Sequence, residues 1–161
     1  KRKIELLIKK FKSNKKFDLI FDLPILKFKN KEIKENFKQK KFIISSWPRF
    51  TPQSCISLRR DFAKEIFKEL KIKKFKTIWF DFRIAVYCYL KNKNIYIFRK
   101  YLTYYRQLDN SASKEYKFFN KKWWIRRKQA HEFVSFVNKK LNLKDSNNFD
   151  KVATNVINFF R

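Results

Sequence analysis

Residues 75–89, FKTIWFDFRIAVYCY, decide how the chain is expected to fold. In a strand, successive side chains alternate between the two faces of a sheet. Ile78, Phe80, Phe82, Ile84, Val86 and Cys88 then share one face, and Thr77, Asp81, Arg83 and Tyr87 share the other. Lys91-Asn92-Lys93-Asn94 reads as a turn, with Asn standing where Gly would otherwise supply a left-handed residue. Ile95 to Tyr105 returns as a second long strand. The pattern predicts a long β-hairpin over 75–105.

Before this stretch, Phe62, Ala63, Ile66, Phe67 and Leu70 form one apolar helical stripe, with Arg59, Arg60, Lys64 and Lys68 around it. Thr51 suits the N-cap and Pro52 the first helical position, so the helix is expected over 52–70. Phe42-Ile43-Ile44-Ser45-Ser46 is a candidate short strand ahead of it. Beyond the hairpin, residues 106–128 read as a loop or irregular ribbon. Two helices follow, at 131–143 and 149–160, divided by DSNN at 145–148. Strand, helix, hairpin, helix, helix is an α+β order.

The N-terminal quarter reads as an appendage. Ile4, Leu7, Ile8 and Phe11 have helical spacing within residues 1–16. Residues 17–29, FDLIFDLPILKFK, look extended, with Pro24 confining them to an edge or a bend. Residues 30–41 look like a polar connection or frayed helix. The expected organisation is a basic extension over 1–40, an α+β RNA-binding body over 41–144 and a C-terminal helix over 145–161.

Charge narrows the function. Lys and Arg total 42 against 14 acids, a net charge of +28 over 161 residues. A compact body with that excess belongs against a polyanion. Yet 44% of residues are hydrophobic and 19% aromatic, far too many for a disordered basic tail. No apolar run approaches the roughly 18 residues of a membrane span. The chain has no Gly, which excludes glycine-rich phosphate loops and dinucleotide fingerprints. Phe, Tyr, Ile, Asn and Lys together make up 88 of the 161 residues. All have AT-rich codons, so an AT-rich organellar genome is inferred, and part of the Lys and Phe excess is compositional drift.

Catalytic chemistry is scarce. His131 is the single His, so a His-based relay or metal site lacks partners, and it is expected to be structural or at the surface. Asp18 with Asp22 and Glu65 with Glu69 sit at helical spacing, which more often gives ion pairs than metal sites. Cys55 and Cys88 form no CxxC pair; the alternatives are a single structural disulfide and two buried thiols in a reducing compartment, and the second is preferred. No enzymatic activity, cofactor or metal is expected. The distinctive stretch is Lys121 to Gln129, KKWWIRRKQ. Trp123 and Trp124 offer flat faces for unpaired bases, and Arg126 and Arg127 offer stacking and bidentate phosphate contacts. Basic clusters elsewhere cover most of the chain, which suits a protein embedded in folded RNA more than a reader with one basic stripe.

Thr103-Tyr104-Tyr105-Arg106, followed by Asn110-Ser111-Ala112-Ser113-Lys114-Glu115, resembles the conserved loop of the small-subunit ribosomal protein S-ten family. Thr103, Arg106, Asn110, Ser113 and Glu115 match, and Lys114 replaces Arg. Gln107-Leu108 departs from the family's Ser-Pro, and the Arg-to-Asn spacing is one residue short. The resemblance covers about residues 41–140. It implies a ferredoxin-like sheet with a long β-hairpin, here with an N-terminal extension and C-terminal helices. A rival resemblance, to the S-eleven family, rests on Thr51-Pro52-Gln53 with its helix, Lys71-Ile72-Lys73, and the basic run from Asn120 to Lys128. The glycines that fold uses are missing here, so S-ten is preferred.

The expectation is a structural constituent of the small subunit of a mitochondrial ribosome, located in the organellar matrix. Its partners would be ribosomal RNA and neighbouring proteins of the small-subunit head. Arg106, Lys114, Lys121, Lys122, Arg126, Arg127 and Lys128 would bind phosphate, while Trp123 and Trp124 stack or pack. No membrane span and no homo-oligomer are expected. The alternative is an accessory subunit of a mitochondrial membrane complex, touching anionic lipid head groups.

Overall fold

A computed structural model describes residues 2–36, 48, 50–70, 74–108, 115–145 and 148–160. The fold is α+β. In chain order the elements are α1 (Arg2–Ser13), β1 (Leu19–Lys27), β2 (Glu32–Lys34), a 3₁₀ turn (Gln53–Cys55) and β3 (Ile56–Leu58). Then come α2 (Arg60–Leu70), α3 (Phe80–Leu90), β4 (Ile95–Arg106), α4 (Lys121–Lys140) and α5 (Phe149–Phe159).

The sheet is mixed and built on β1. β3 pairs antiparallel with its first residues, Leu19 facing Leu58, and β2 with its last, Lys27 facing Glu32. β4 runs parallel to it from Leu19↔Ile95 to Lys27↔Arg106. Residues 2–36 are therefore not an addition to a finished body. Pro24 lies in the central strand rather than at an edge, where the pairing with β4 shifts register between Asp22 and Pro24. A strand Pro is tolerated at such an irregularity because no ladder bond is asked of its nitrogen. Its carbonyl still accepts from Glu35 N–H, 3.2 Å away.

Side chains of β1 divide between two layers. Leu19 and Phe21 join the main core with Phe62, Ile66 and Leu70 of α2, much of α3, and Phe133, Val134 and Val137 of α4. Asp22 points instead toward α1, where Lys3 Nζ lies 2.7 Å from Oδ2. Arg59 is not a solvated decoration of α2. Its guanidinium donates to the carbonyls of Phe11, Asn14 and Phe17, closing off the end of α1.

The hairpin over 75–105 does not form. Residues 80–90 are helical, and β4, expected as its second arm, pairs with β1 instead. The alternation misleads because α3 is buried almost all round, as a helix inside a core is. Its polar residues have tertiary partners: Arg83 donates to the carbonyls of Leu70 and Phe75, and Tyr87 OH to Glu65 at 2.9 Å. The Asn read as a hairpin turn ends the helix. Asn92 has φ 50°, its N–H reaches Tyr89 O, and Lys93 N–H reaches Cys88 O. That is the Schellman arrangement, with Asn supplying the left-handed residue. Asn142, at φ 54°, ends α4 in the same way.

Other boundaries moved too. Thr51 and Pro52 lead into the 3₁₀ turn, and Ile56 to Leu58 are claimed by pairing with β1, so α2 starts only at Arg60. Part of the expected polar connection over 30–41 is β2. The expected strand over 42–46 lies outside the described residues. The N-terminal helix, the strand from Ile95 and both C-terminal helices stand where the sequence placed them, except that α4 begins ten residues earlier than the expected 131.

Candidate nucleic-acid interface

KKWWIRRKQ is the opening of α4, not a ribbon. Asn120 caps it: its Oδ1 accepts from Trp123 N–H at 2.7 Å. This fixes the indoles of Trp123 and Trp124 edge to face, their centroids 4.6 Å apart. Phe118 and Phe119, both exposed, lean on Trp123 at 5.8 and 5.4 Å. Phe119 adopts φ 65°, a costly conformation for a bulky side chain.

The two arginines have separate fates. Arg126 lies with its guanidinium carbon 3.4 Å from the ring centre of Trp79 and 4.5 Å from that of Tyr116. It makes no hydrogen bond or ion pair among the described residues, and the nearby carboxylate of Asp81 acts on it only through its field. Burial lowers the affinity of Arg126 for its proton and raises that of the Asp81 carboxyl. Arg127 instead grips Asp150 of α5 with Nε at 2.9 Å and Nη2 at 2.5 Å. Its guanidinium also lies 4.8 Å from the Trp123 ring centre.

Trp79, Tyr116, Trp123 and Arg126 line one cavity of about 340 Å³, closed on the core side by Phe50 and Phe82. A second cavity of about 650 Å³ shares Trp79 and Phe50 and runs past Asp81 to Tyr105 and Gln107 at the end of β4. Arg106 lies beside that end, in an open groove with Lys27, Tyr104 and Leu108. Lys121 and Lys128 are exposed on α4, and Lys122 is exposed but 2.8 Å from Glu115. That contact pulls the carboxyl of Glu115 down and the ammonium of Lys122 up. Lys114 lies outside the described residues.

The structure thus brings Trp123, Trp124 and Arg126 together, leaves Lys128 exposed on the same helix and Arg106 in a separate groove, and turns Arg127 to a structural task. The sequence reading missed Trp79 and Tyr116, the rings that hold Arg126. Trp79 was assigned to a strand, and nothing local to Tyr116 signals its role.

Several other polar groups bond to one another within the fold. Thr103, part of the S-ten-like motif, is buried and donates to Asp22 at 2.6 Å. Lys3 reaches Asp22, Thr103 and the carbonyl of Ser54. Cys55 and Cys88 are free and buried, and burial pushes their thiols up to about 11 and about 12. Such thiols are inert rather than nucleophilic. His131 is buried in α4, with Nε2 3.0 Å from Asp150 Oδ2. No group of acids, His and Cys able to hold a metal exists among the described residues. No helix among them is long and apolar enough to cross a membrane.

Compared with known proteins, the chain matches no family model, no curated protein and no solved structure.

Proposed function

We propose that the chain is a structural constituent of the small subunit of a mitochondrial ribosome, binding ribosomal RNA and packing against neighbouring ribosomal proteins. One observation carries this reading: on a body of net charge +28, the start of α4 sets half-buried indoles beside exposed lysines and an arginine that makes no ion pair among the described residues. Aromatic faces in a cationic setting suit single-stranded or looped RNA. Placement in the small-subunit head follows from the S-ten resemblance alone. The long hairpin which that resemblance implied is absent, so the motif at Thr103 to Arg106 now bears it.

The test is ultraviolet crosslinking in intact organelles, with the RNA sequenced and the modified peptides mapped. Small-subunit rRNA joined to peptides from 103–128 is the expected result. Head rRNA fits the S-ten reading and platform rRNA the S-eleven reading. Absence of rRNA would overturn both.

A second reading has its own observation. On α5, Phe149, Val152, Val156 and Phe160 form an exposed apolar stripe, Phe149 being 85% and Phe160 80% accessible. Such a face suits burial in a larger assembly, including the alternative of a membrane complex with anionic lipid. Sedimentation with ribosomal subunits, against retention on carbonate-washed membranes, separates the two readings.

A further inference from the structure

We propose that the cavity between α3, α4 and residues 115–118 holds one unpaired nucleobase of the bound RNA. The inference rests on the RNA-binding reading and specifies which part of the RNA the site takes.

Size comes first. About 340 Å³ lies at the small end of ligand sites, which span on the order of 300–1,000 Å³. The space suits a single flat ring system. The walls are the ring systems of Trp79, Tyr116 and Trp123, which offer π faces or edges to a planar guest.

Arg126 supplies the polar contact. A guanidinium carries five donors and no acceptor. Removing it from water without hydrogen bonds is costly. Here it is half-buried, its guanidinium carbon 3.4 Å from the Trp79 ring centre and 4.5 Å from that of Tyr116, whose ring stands at 87° to Trp79, and it has no hydrogen-bond or ion-pair partner among the described residues. Arg127, one residue on, shows what this chain does with a structural arginine: it gives it a carboxylate. The rings therefore hold the planar guanidinium in place and leave its donors available for a guest with an acceptor edge. Nucleobases have such edges.

Charge selects the source of that guest. Lys121 and Lys128 stand exposed on the same helix, and the whole chain carries +28. A cationic or neutral free ligand gains nothing from that field, whereas a base tethered to phosphates does. A base stacked within a duplex cannot enter, so the guest comes from a loop, bulge or single strand.

The test compares two RNA oligonucleotides of ten residues, one of mixed sequence and one with the same phosphates but no bases. The wild-type protein is expected to bind the first at least tenfold more tightly, as stacking of a base normally gives. Arg126→Lys keeps the charge but loses the flat, forked donor, so its preference should collapse while its salt dependence stays as in wild type. Tyr116→Ala, outside the helices and strands and outside the buried core, should also lose the preference. Its circular dichroism should match wild type. Equal binding of both oligonucleotides by the wild type would overturn the base site and leave the RNA-binding reading intact. No binding of either would overturn both.

Discussion

Lys3 Nζ of α1 lies 2.7 Å from Asp22 Oδ2 in the middle of β1, and the carboxylate is wholly buried. The pair also engages Thr103 of β4, so three elements meet at one charge. Breaking a buried pair by removing one partner leaves the other uncompensated and costs on the order of 3–5 kcal/mol. Lys3→Ala is therefore expected to lower the urea midpoint substantially. Lys3→Met with Asp22→Leu should lose less than Lys3→Ala alone, because no charge is stranded. If Lys3→Ala unfolds at the wild-type midpoint, α1 is not anchored through this pair.

Asn92 and Asn142 supply the left-handed residue of two helix ends, at φ 50° and 54°. Both are exposed. A residue with a Cβ and no local hydrogen bond pays about 1 kcal/mol there. Asn92→Ala and Asn142→Ala should each destabilise by about that amount, and Asn92→Gly should be neutral or better. Equal stability of the Ala and Gly variants would contradict the caps.

These caps also explain what the sequence hid. Lys91 to Asn94 has the composition of a hairpin turn, and a Schellman cap needs the same Asn. Residues 78–88 alternate in hydropathy, but of the residues between the apolar ones Arg83 and Tyr87 are satisfied by distant partners that no local pattern reveals, and Asp81 accepts from the N–H of Phe82 in the first turn of the helix. Pro24 argued for an edge because a register shift is invisible in one strand alone. The stripe of α2, the strand from Ile95 and the last helix were legible since their patterns have one solution. At the interface, rare residue types announced Trp123, Trp124 and Arg126. Their partners Trp79 and Tyr116 come from separate segments that only the fold brings together.

His131 is buried against Asp150, with Arg127 and Lys151 adding positive charge nearby. Burial, the largest influence, pulls its proton affinity below the ordinary 6.5. The unfolded chain then takes up this proton more readily than the native one. Stability from this group is fully present above pH 6.5 and is lost as pH falls through the lower native value. Urea midpoints measured from about pH 8 to about pH 5 should fall more for wild type than for His131→Gln. Parallel curves would show that His131 does not titrate in this range.

Arg126 and Arg127 are adjacent, equally charged and assigned to different work, which gives the sharpest separation. Arg127 neutralises Asp150 and joins α4 to α5. Arg127→Ala leaves the Asp150 carboxylate with only His131 among the described residues and should cost on the order of 3 kcal/mol of stability; because Arg127 also borders the cavity, RNA affinity of the folded molecules should fall, but less than in Arg126→Ala. Arg126 has no such partner among the described residues, so Arg126→Ala should leave the unfolding free energy within about 1 kcal/mol of wild type, the loss of its ring contacts being small at a partly exposed site. Its RNA affinity should fall about tenfold or more, the range of a stacking contact. The slope of log affinity against log salt should change by no more than about one phosphate's worth. Were the two variants to exchange these phenotypes, with Arg127→Ala binding poorly and Arg126→Ala unfolding early, the division of labour drawn from their partners would be reversed.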